Sequence, residues 1–358
     1  MPLLQRLTVV VTAFLSLAPA SDFGRFARAA DPAPTAHESS VLDRVFANWK
    51  TRHDRVRSFH FTYNRRTTYR KGKWDLSSEP RVPFEHDQAF EQVGMQLWVD
   101  GDERICSLDT PSFKVPAAKR IDTRRVATRS VTAGNTCSIY YASSAWETGR
   151  PRPHPLAPNG VLYSRAAPLL GVRNIFFQAL FVTFRPQTTA PSLLRDQCRL
   201  VDENAVIDNG HYVKFHRVFP DDSEEALWVS PARDDVVVHW TSSGEGSRAE
   251  GSIKYKKDER YGWIPSEWTC DFVGGKREEN KVTDYSINEK IDSAVFSEGF
   301  PPGTPVEDGR DVKFGEPSRY YVIQPDGSKR SISHEEFDRL ANIANPLKRA
   351  PAAKPQAK

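Results

Sequence analysis

The stretch LWVSPARDDVVVHWTSSGEGSRAEGSIKYKKDERYGWIPSEWTCDF, residues 227–272, decides the fold. Apolar and polar residues alternate in short runs, and the runs stop at Asp234-Asp235, at Gly244 to Gly246 and at Asp258 to Gly262. A period of two with turn residues between the runs is the pattern of antiparallel strands joined by hairpins. The runs cover 225–229, 236–242, 251–257 and 263–272, and 281–287 continues them. Leu227 and Val229 point one way and Trp228 the other. Ile264, Ser266, Trp268 and Cys270 oppose Trp263, Pro265, Glu267 and Thr269. Aromatic residues thus stand on both parities: most belong to a core, and the others face outward, a groove or a loop.

Upstream, Phe59, Phe61 and Tyr63 alternate with His60 and Thr62, another half-buried strand. Hairpins are expected at Asp100-Gly101, between 96–99 and 104–108, and at Gly134-Asn135, between 126–131 and 137–141. Asn209-Gly210 marks a third, between 205–208 and 211–218. The total is a meander of about ten strands. Before it, Val41, Leu42, Val45, Phe46, Trp49 and Val56 share one face at helical spacing, with Ser39 or Ser40 as cap, so an amphipathic helix of about four to five turns opens the domain. Residues 144–160 are a Pro-rich loop. Leu169 to Phe184 (LLGVRNIFFQALFVTF) is the most apolar run after the leader, with Pro168 at its start. It reads as a buried helix, either plain core or a lid over an apolar cavity. After the meander, Pro325-Asp326-Gly327 joins 321–323 to 330–332, and Ser333 to Glu336 (SHEE) is a capping box before a short helix carrying Phe337 and Leu340.

The chain has 358 residues, 39% hydrophobic and 11% aromatic, enough for a packed core. Its start has the form of a secretory signal: one cation at Arg6, the apolar run Leu7 to Leu17, then small residues before cleavage near Ala20 or Ala29. Eleven apolar residues are too few to span a bilayer, which takes about 20. The expected product is exported, periplasmic or extracellular, with no transmembrane span in the mature protein. The net charge of +4 rests largely on Arg6 and on the tail residues Lys348, Arg349, Lys354 and Lys358, so the body is near neutral. That speaks against a nucleic-acid binder. Cys106, Cys137, Cys198 and Cys270 are spaced too widely for a zinc motif, and in an oxidising compartment they allow three disulfide pairings.

Chemistry is hard to find. There is no Gly-x-Ser-x-Gly, no P-loop, no Gly-x-Gly-x-x-Gly and no His-Glu-x-x-His. His211 and His216 are five apart, on opposite faces of one strand. His86, His239 and His334 have no readable partner. Arg120, Arg124, Arg125 and Arg129, with Arg65, Arg66, Arg70 and Lys71, form either an anion-binding patch or a solvated strand face, and the second reading is favoured. No catalytic residue, cofactor or metal is expected.

Leu227-Trp-Val229 with Ser230-Pro231, then Val237-x-x-Trp240, Ile253-x-Tyr-Lys256 and Gly262-Trp-Ile-Pro265, closing on Asn288, Phe296 and Phe300 to Thr304, resemble the strand succession of the periplasmic lipoprotein-carrier (LolA/LolB-like) superfamily. The texture also resembles uncharacterised secreted proteins of planctomycete-type bacteria. The resemblance implies an α+β, mostly β fold: an antiparallel incomplete β-barrel, or half-barrel, of about ten strands wrapped around helices. The resemblance covers the half-barrel over 39–308; the residues themselves mark a signal peptide and lead-in over 1–29, a hairpin-helix appendix over 309–344, where the chain departs from the family, and a flexible basic tail over 345–358. The resemblance also implies a non-enzymatic protein that holds a lipid or lipoprotein acyl chain in an apolar cavity. Each buried methylene of such a chain would contribute about 0.8 kcal/mol, without polar specificity. Candidate lining residues are Phe59, Phe61, Tyr63, Trp98, Ile175, Phe176, Leu180, Phe181, Trp228, Trp240, Trp263 and Trp268. The alternatives are an envelope sensor or interaction module that holds a protein partner on the same fold, and a hydrolase whose site is dispersed over strands.

Overall fold

The structure is a computed structural model. It describes residues 35–341 apart from 73–85, 102–103, 111, 115–122, 135, 146, 149, 152–157, 165–194, 219–223, 245–246, 298, 311 and 313–315. The expected signal peptide, the apolar run 169–184 and the basic tail lie outside the described residues.

The first elements are α1 (Ala36–Arg55), β1 (Ser58–Tyr69), β2 (Gln88–Asp100), β3 (Arg104–Asp109), β4 (Ser112–Lys114), β5 (Thr123–Ala133) and β6 (Thr136–Ala145). Two short strands, β7 (Glu147–Thr148) and β8 (Arg150–Pro151), precede β9 (Asn159–Ser164) and β10 (Cys198–Ile207). Then come β11 (Gly210–Val218), β12 (Glu224–Ser230), β13 (Val236–Gly244), β14 (Ser247–Asp258), β15 (Gly262–Phe272) and β16 (Lys276–Ile287). The chain closes on β17 (Pro305–Asp308), β18 (Arg319–Ile323), β19 (Lys329–Ser331) and α2 (His334–Leu340). The fold is mostly β, an open antiparallel sheet with few helices, as the alternation predicts. No described helix is long and apolar enough to cross a membrane.

Two compact units divide the chain. The first holds α1, most of β1 and the strands β10 to β16. Its strands pair antiparallel in sequence order from β10 to β16. β1 adds to β16, with the amide of Asn288 donating to Ser58 O at 2.8 Å and that of Arg70 to Gly275 O at 3.2 Å. The β10–β11 turn puts Asp208 and Asn209 in the left-handed region, at φ 46° and 63°, as a two-residue hairpin requires. Its left-handed pair is therefore Asp208-Asn209, one residue earlier than the Asn209-Gly210 read from sequence.

Helix α1 starts at Ala36, not after Ser39 or Ser40. Thr35 is the cap: its hydroxyl accepts from the Glu38 amide at 3.2 Å, and the Glu38 carboxylate accepts from the Thr35 amide at 2.6 Å. This reciprocal box satisfies two of the donors that a helix start leaves open. Val41, Leu42, Val45 and Trp49 fill its buried stripe. The helix is fastened to the β12–β13 connection. Trp49 Nε1 donates to Asp235 O at 2.7 Å, Asn48 Nδ2 to the Asp235 carboxylate at 2.7 Å, and Arg52 to Asp234 O. Asp234 and Asp235 both sit at φ 55°, which turns these carbonyls toward the helix.

The second unit holds the later part of β2 with β3, β5, β6, β9, β17, β18, β19 and α2. β2–β3, β3–β5, β5–β6, β6–β9, β17–β18 and β18–β19 pair antiparallel, while β9 and β17 run parallel with Val306 opposite Gly160 and Asp308 opposite Leu162. Leu162, Val306, Tyr321 and Ile323 form one core, with Phe300 packed on it. Gly160 makes room for that ring: a Cβ there would lie 2.4 Å from Phe300 Cε1. A second core joins Cys106, Val131 and Phe296. In α2, Ser333 caps the helix, Phe337 is buried, and Tyr320 lies beside both His334 and Phe337 at 5.0 Å. All four cysteines are buried and free.

Candidate functional site

Strand alternation gives the first unit's sheet an apolar inner face. Register carries one row across five strands: Phe215, Leu227, Trp240, Gly251 and Cys270, ending opposite Glu278. The adjoining row runs Ile253, Trp268, Asn280. Tyr63 of β1 reaches Trp268, with ring centroids 5.2 Å apart. Trp240 and Trp268 are only 3% and 2% exposed. Gly251 is required here because a Cβ would meet Trp240 Nε1 at 2.6 Å and Thr269 O at 2.4 Å. The indole of Trp240 therefore lies across the glycine, and the sheet and the ring pack as one surface.

Charges flank this apolar strip, and each is paired. On one side Arg65 Nε donates to Asn280 Oδ1 at 3.0 Å and stands 3.6 Å from Glu278 Oε2, while Lys276 Nζ lies 2.7 Å from Glu278 Oε1. On the other, Arg217 Nη1 lies 3.6 Å from Glu225 Oε2. Burial pushes the Glu225 carboxyl up to about 7 although Arg217 pulls it down. A thiol stands next to each pair. Cys198 faces Arg217 and is raised to about 12 by burial; Cys270 faces Glu278 and is raised by burial and by that carboxylate. Such thiols stay protonated at neutral pH and are poor nucleophiles. Among the described residues no group of three His, Cys, Asp or Glu is placed to hold a metal ion.

No family model matches the chain, and no curated protein matches it. Solved structures do. A domain from Vibrio parahaemolyticus named for outer membrane lipoprotein sorting is 10% identical, over 72% of this chain and 96% of its own, with a TM-score of 0.37. A LolA superfamily protein from Nitrosomonas europaea is 12% identical, over 73% and 97%, with a TM-score of 0.36. A DUF1329 family protein from Desulfovibrio piger is 12% identical, over 74% and 98%, with a TM-score of 0.38. Likenesses this distant leave the function to this chain's own residues.

The nominated lining residues scatter. Tyr63 and Trp268 meet on the inner face, and Trp240 and Phe59 are buried in the same unit. Phe61 is buried within the second unit, where Trp98 stacks on His60 at 4.7 Å. Trp228 is on the opposite parity, with Lys214 Nζ 4.8 Å from its ring centroid and His239 edge-on at 4.7 Å. It lines an outer groove of about 350 Å³ with Val201, His216 and Thr241. Trp263 stands at the tip of the β14–β15 hairpin. Ile175, Phe176, Leu180 and Phe181 lie outside the described residues.

Phe215, Leu227 and Ile253 belong to the face and were missed, although Val213, Phe215 and Arg217 alternate with His216 plainly enough to have pointed to them. The buried ions had no such signal, because a charge on an alternating strand reads as solvent-facing. The basic patch also separates. Arg65 turns inward, and Arg129 Nη2 donates to Val295 O at 2.7 Å.

Proposed function

We propose that this is an exported, non-enzymatic protein that holds a lipid or lipoprotein acyl chain on the inner face of the first unit's sheet. The observation that carries the reading is the continuous aromatic and aliphatic strip of Tyr63, Phe215, Leu227, Trp240, Ile253 and Trp268, with the flanking charges paired off. A chain laid on such a strip gains by burial alone, about 0.8 kcal/mol per methylene. The protonated thiols of Cys198 and Cys270 fit a binding face better than a reacting one. The test is native mass spectrometry and lipid extraction of the purified protein, with fluorescent fatty-acid uptake beside it. Co-purified acyl lipid and uptake weakened by Trp240→Ala are expected. Repeated absence of lipid together with no uptake overturns the reading.

A second reading has one observation in its favour. Trp240 and Trp268 are almost fully covered, as in a filled core rather than an open cavity. The sheet would then serve as the scaffold of an envelope interaction module, and a pull-down from envelope extract should return one stoichiometric partner while lipid uptake fails.

A further inference from the structure

The tip of the β14–β15 hairpin carries cations laid over aromatic rings. Lys256 Nζ is 4.1 Å from the Tyr285 ring centroid, and the Arg260 guanidinium is 5.1 Å from that of Tyr261. Trp263 has Arg233 at 5.5 Å and Lys257 at 6.0 Å. Lys256, Lys257 and Arg260 are exposed, and the three rings are half-buried. Successive strand residues point to opposite faces, so Lys256 with Tyr285 and Lys257 with Trp263 dress the two sides of the tip.

Arginines and carboxylates mix at the base of the tip. Arg55 Nη2 lies 3.0 Å from where a Cβ on Gly262 would stand, and the Arg57 amide donates to Asn288 Oδ1 at 2.7 Å. Asn288 borders the same small cleft as Arg260, Tyr261 and Tyr285. Asp258 is used inside the turn. Its carboxylate accepts from the amides of Arg260 and Tyr261 at 2.9 and 2.8 Å and from the Tyr285 hydroxyl at 2.8 Å. Asp54, Asp234, Asp258, Glu259, Asp284 and Glu289 are the acids nearby, as many as the cations Arg55, Arg57, Arg233, Lys256, Lys257 and Arg260, so the positive excess is that of the tip itself, where Lys256, Lys257 and Arg260 stand against Asp258 and Glu259.

We propose that this hairpin tip docks the protein on an anionic phospholipid surface, with Lys256, Lys257 and Arg260 at the phosphates and Tyr261 and Trp263 among the headgroups. Amphipathic rings settle at headgroup depth, and cations near an anionic leaflet are drawn to it. A headgroup layer surrounds the tip, which suits decoration on both of its faces; a protein partner would press on one. The inference does not depend on what the inner face carries.

Co-sedimentation of the full chain with vesicles tests it. Binding is expected to phosphatidylglycerol–phosphatidylcholine vesicles and not to pure phosphatidylcholine, and it should fall steeply as salt rises to about 0.5 M. The variant K256Q/K257Q/R260Q, checked for fold by circular dichroism, should lose roughly fivefold in partitioning per cation, on the order of a hundredfold in all. Trp263→Ala should lose several-fold more weakly. Equal binding to neutral vesicles overturns the proposal, as does absence of binding by the unaltered chain. Unchanged binding by the triple variant also overturns it, and assigns any anionic affinity to Lys348, Arg349, Lys354 and Lys358 in the tail.

Discussion

Glu278 and Glu225 lie on one sheet, each buried and each 3.6 Å from a buried arginine, yet their surroundings differ. Glu278 has Arg65 on one oxygen and Lys276 on the other, and Asn280 takes up the Arg65 Nε–H. Glu225 is paired with Arg217 and pays a desolvation cost that this pairing does not offset, so its carboxyl titrates near 7. Burying a carboxylate stabilises nothing by itself; the number and closeness of its cations decide whether it stays charged. Arg217 does not offset the burial that raises Glu225 to about 7, whereas Glu278 has two cations, Arg65 and Lys276, on its two oxygens.

The comparison can be broken most sharply by removing Arg217. Arg217→Ala strands a buried carboxylate and is expected to cost about 3 kcal/mol at pH 8, read by urea unfolding. The cost should shrink toward pH 5, where Glu225 takes up a proton. A loss independent of pH would show that the carboxylate is not what the arginine supports. Arg65→Ala comes next, with an expected loss of about 2 kcal/mol, because Lys276 at 2.7 Å still faces Glu278. If it costs more than Arg217→Ala, the second cation does not compensate as argued. The third effect has the opposite sign and is a gain. Since the folded state holds the Glu225 proton more tightly than the unfolded chain, the stability it contributes is present below about pH 4.5 and is lost as pH rises through about 7. Glu225→Gln removes that slope and should stabilise the protein at pH 8 by roughly 3 kcal/mol, with no gain at pH 4. Melting curves across that range check it.

Much of the fold was legible. Period-two alternation, Asp-Gly and Asn-Gly turns and one amphipathic stripe located the hairpins of residues 205–287 and helix α1, because each of these signals is local. The helix start was misplaced because Ser39 and Ser40 are good caps in isolation, while Thr35 and Glu38 satisfy each other's amides as a pair. The site was legible in part. Parity separated Trp228 from Leu227 and Trp263 from Trp268, but parity does not say which face is buried. The parallel pairing of β9 with β17 joins residues well over a hundred positions apart and leaves no local mark.

The sequence by itself therefore determined the kind of element at each place, a meander of strands entered through a helix, because backbone propensity and side-chain period act over a few residues. Only the tertiary structure decided which aromatics share a face. It also decided that Gly251 exists for the Trp240 indole, and that Arg65, Arg217, Glu225 and Glu278 are buried in pairs. Those outcomes depend on register between strands and on the desolvation of groups brought together from distant positions, and neither quantity exists until the sheet has formed.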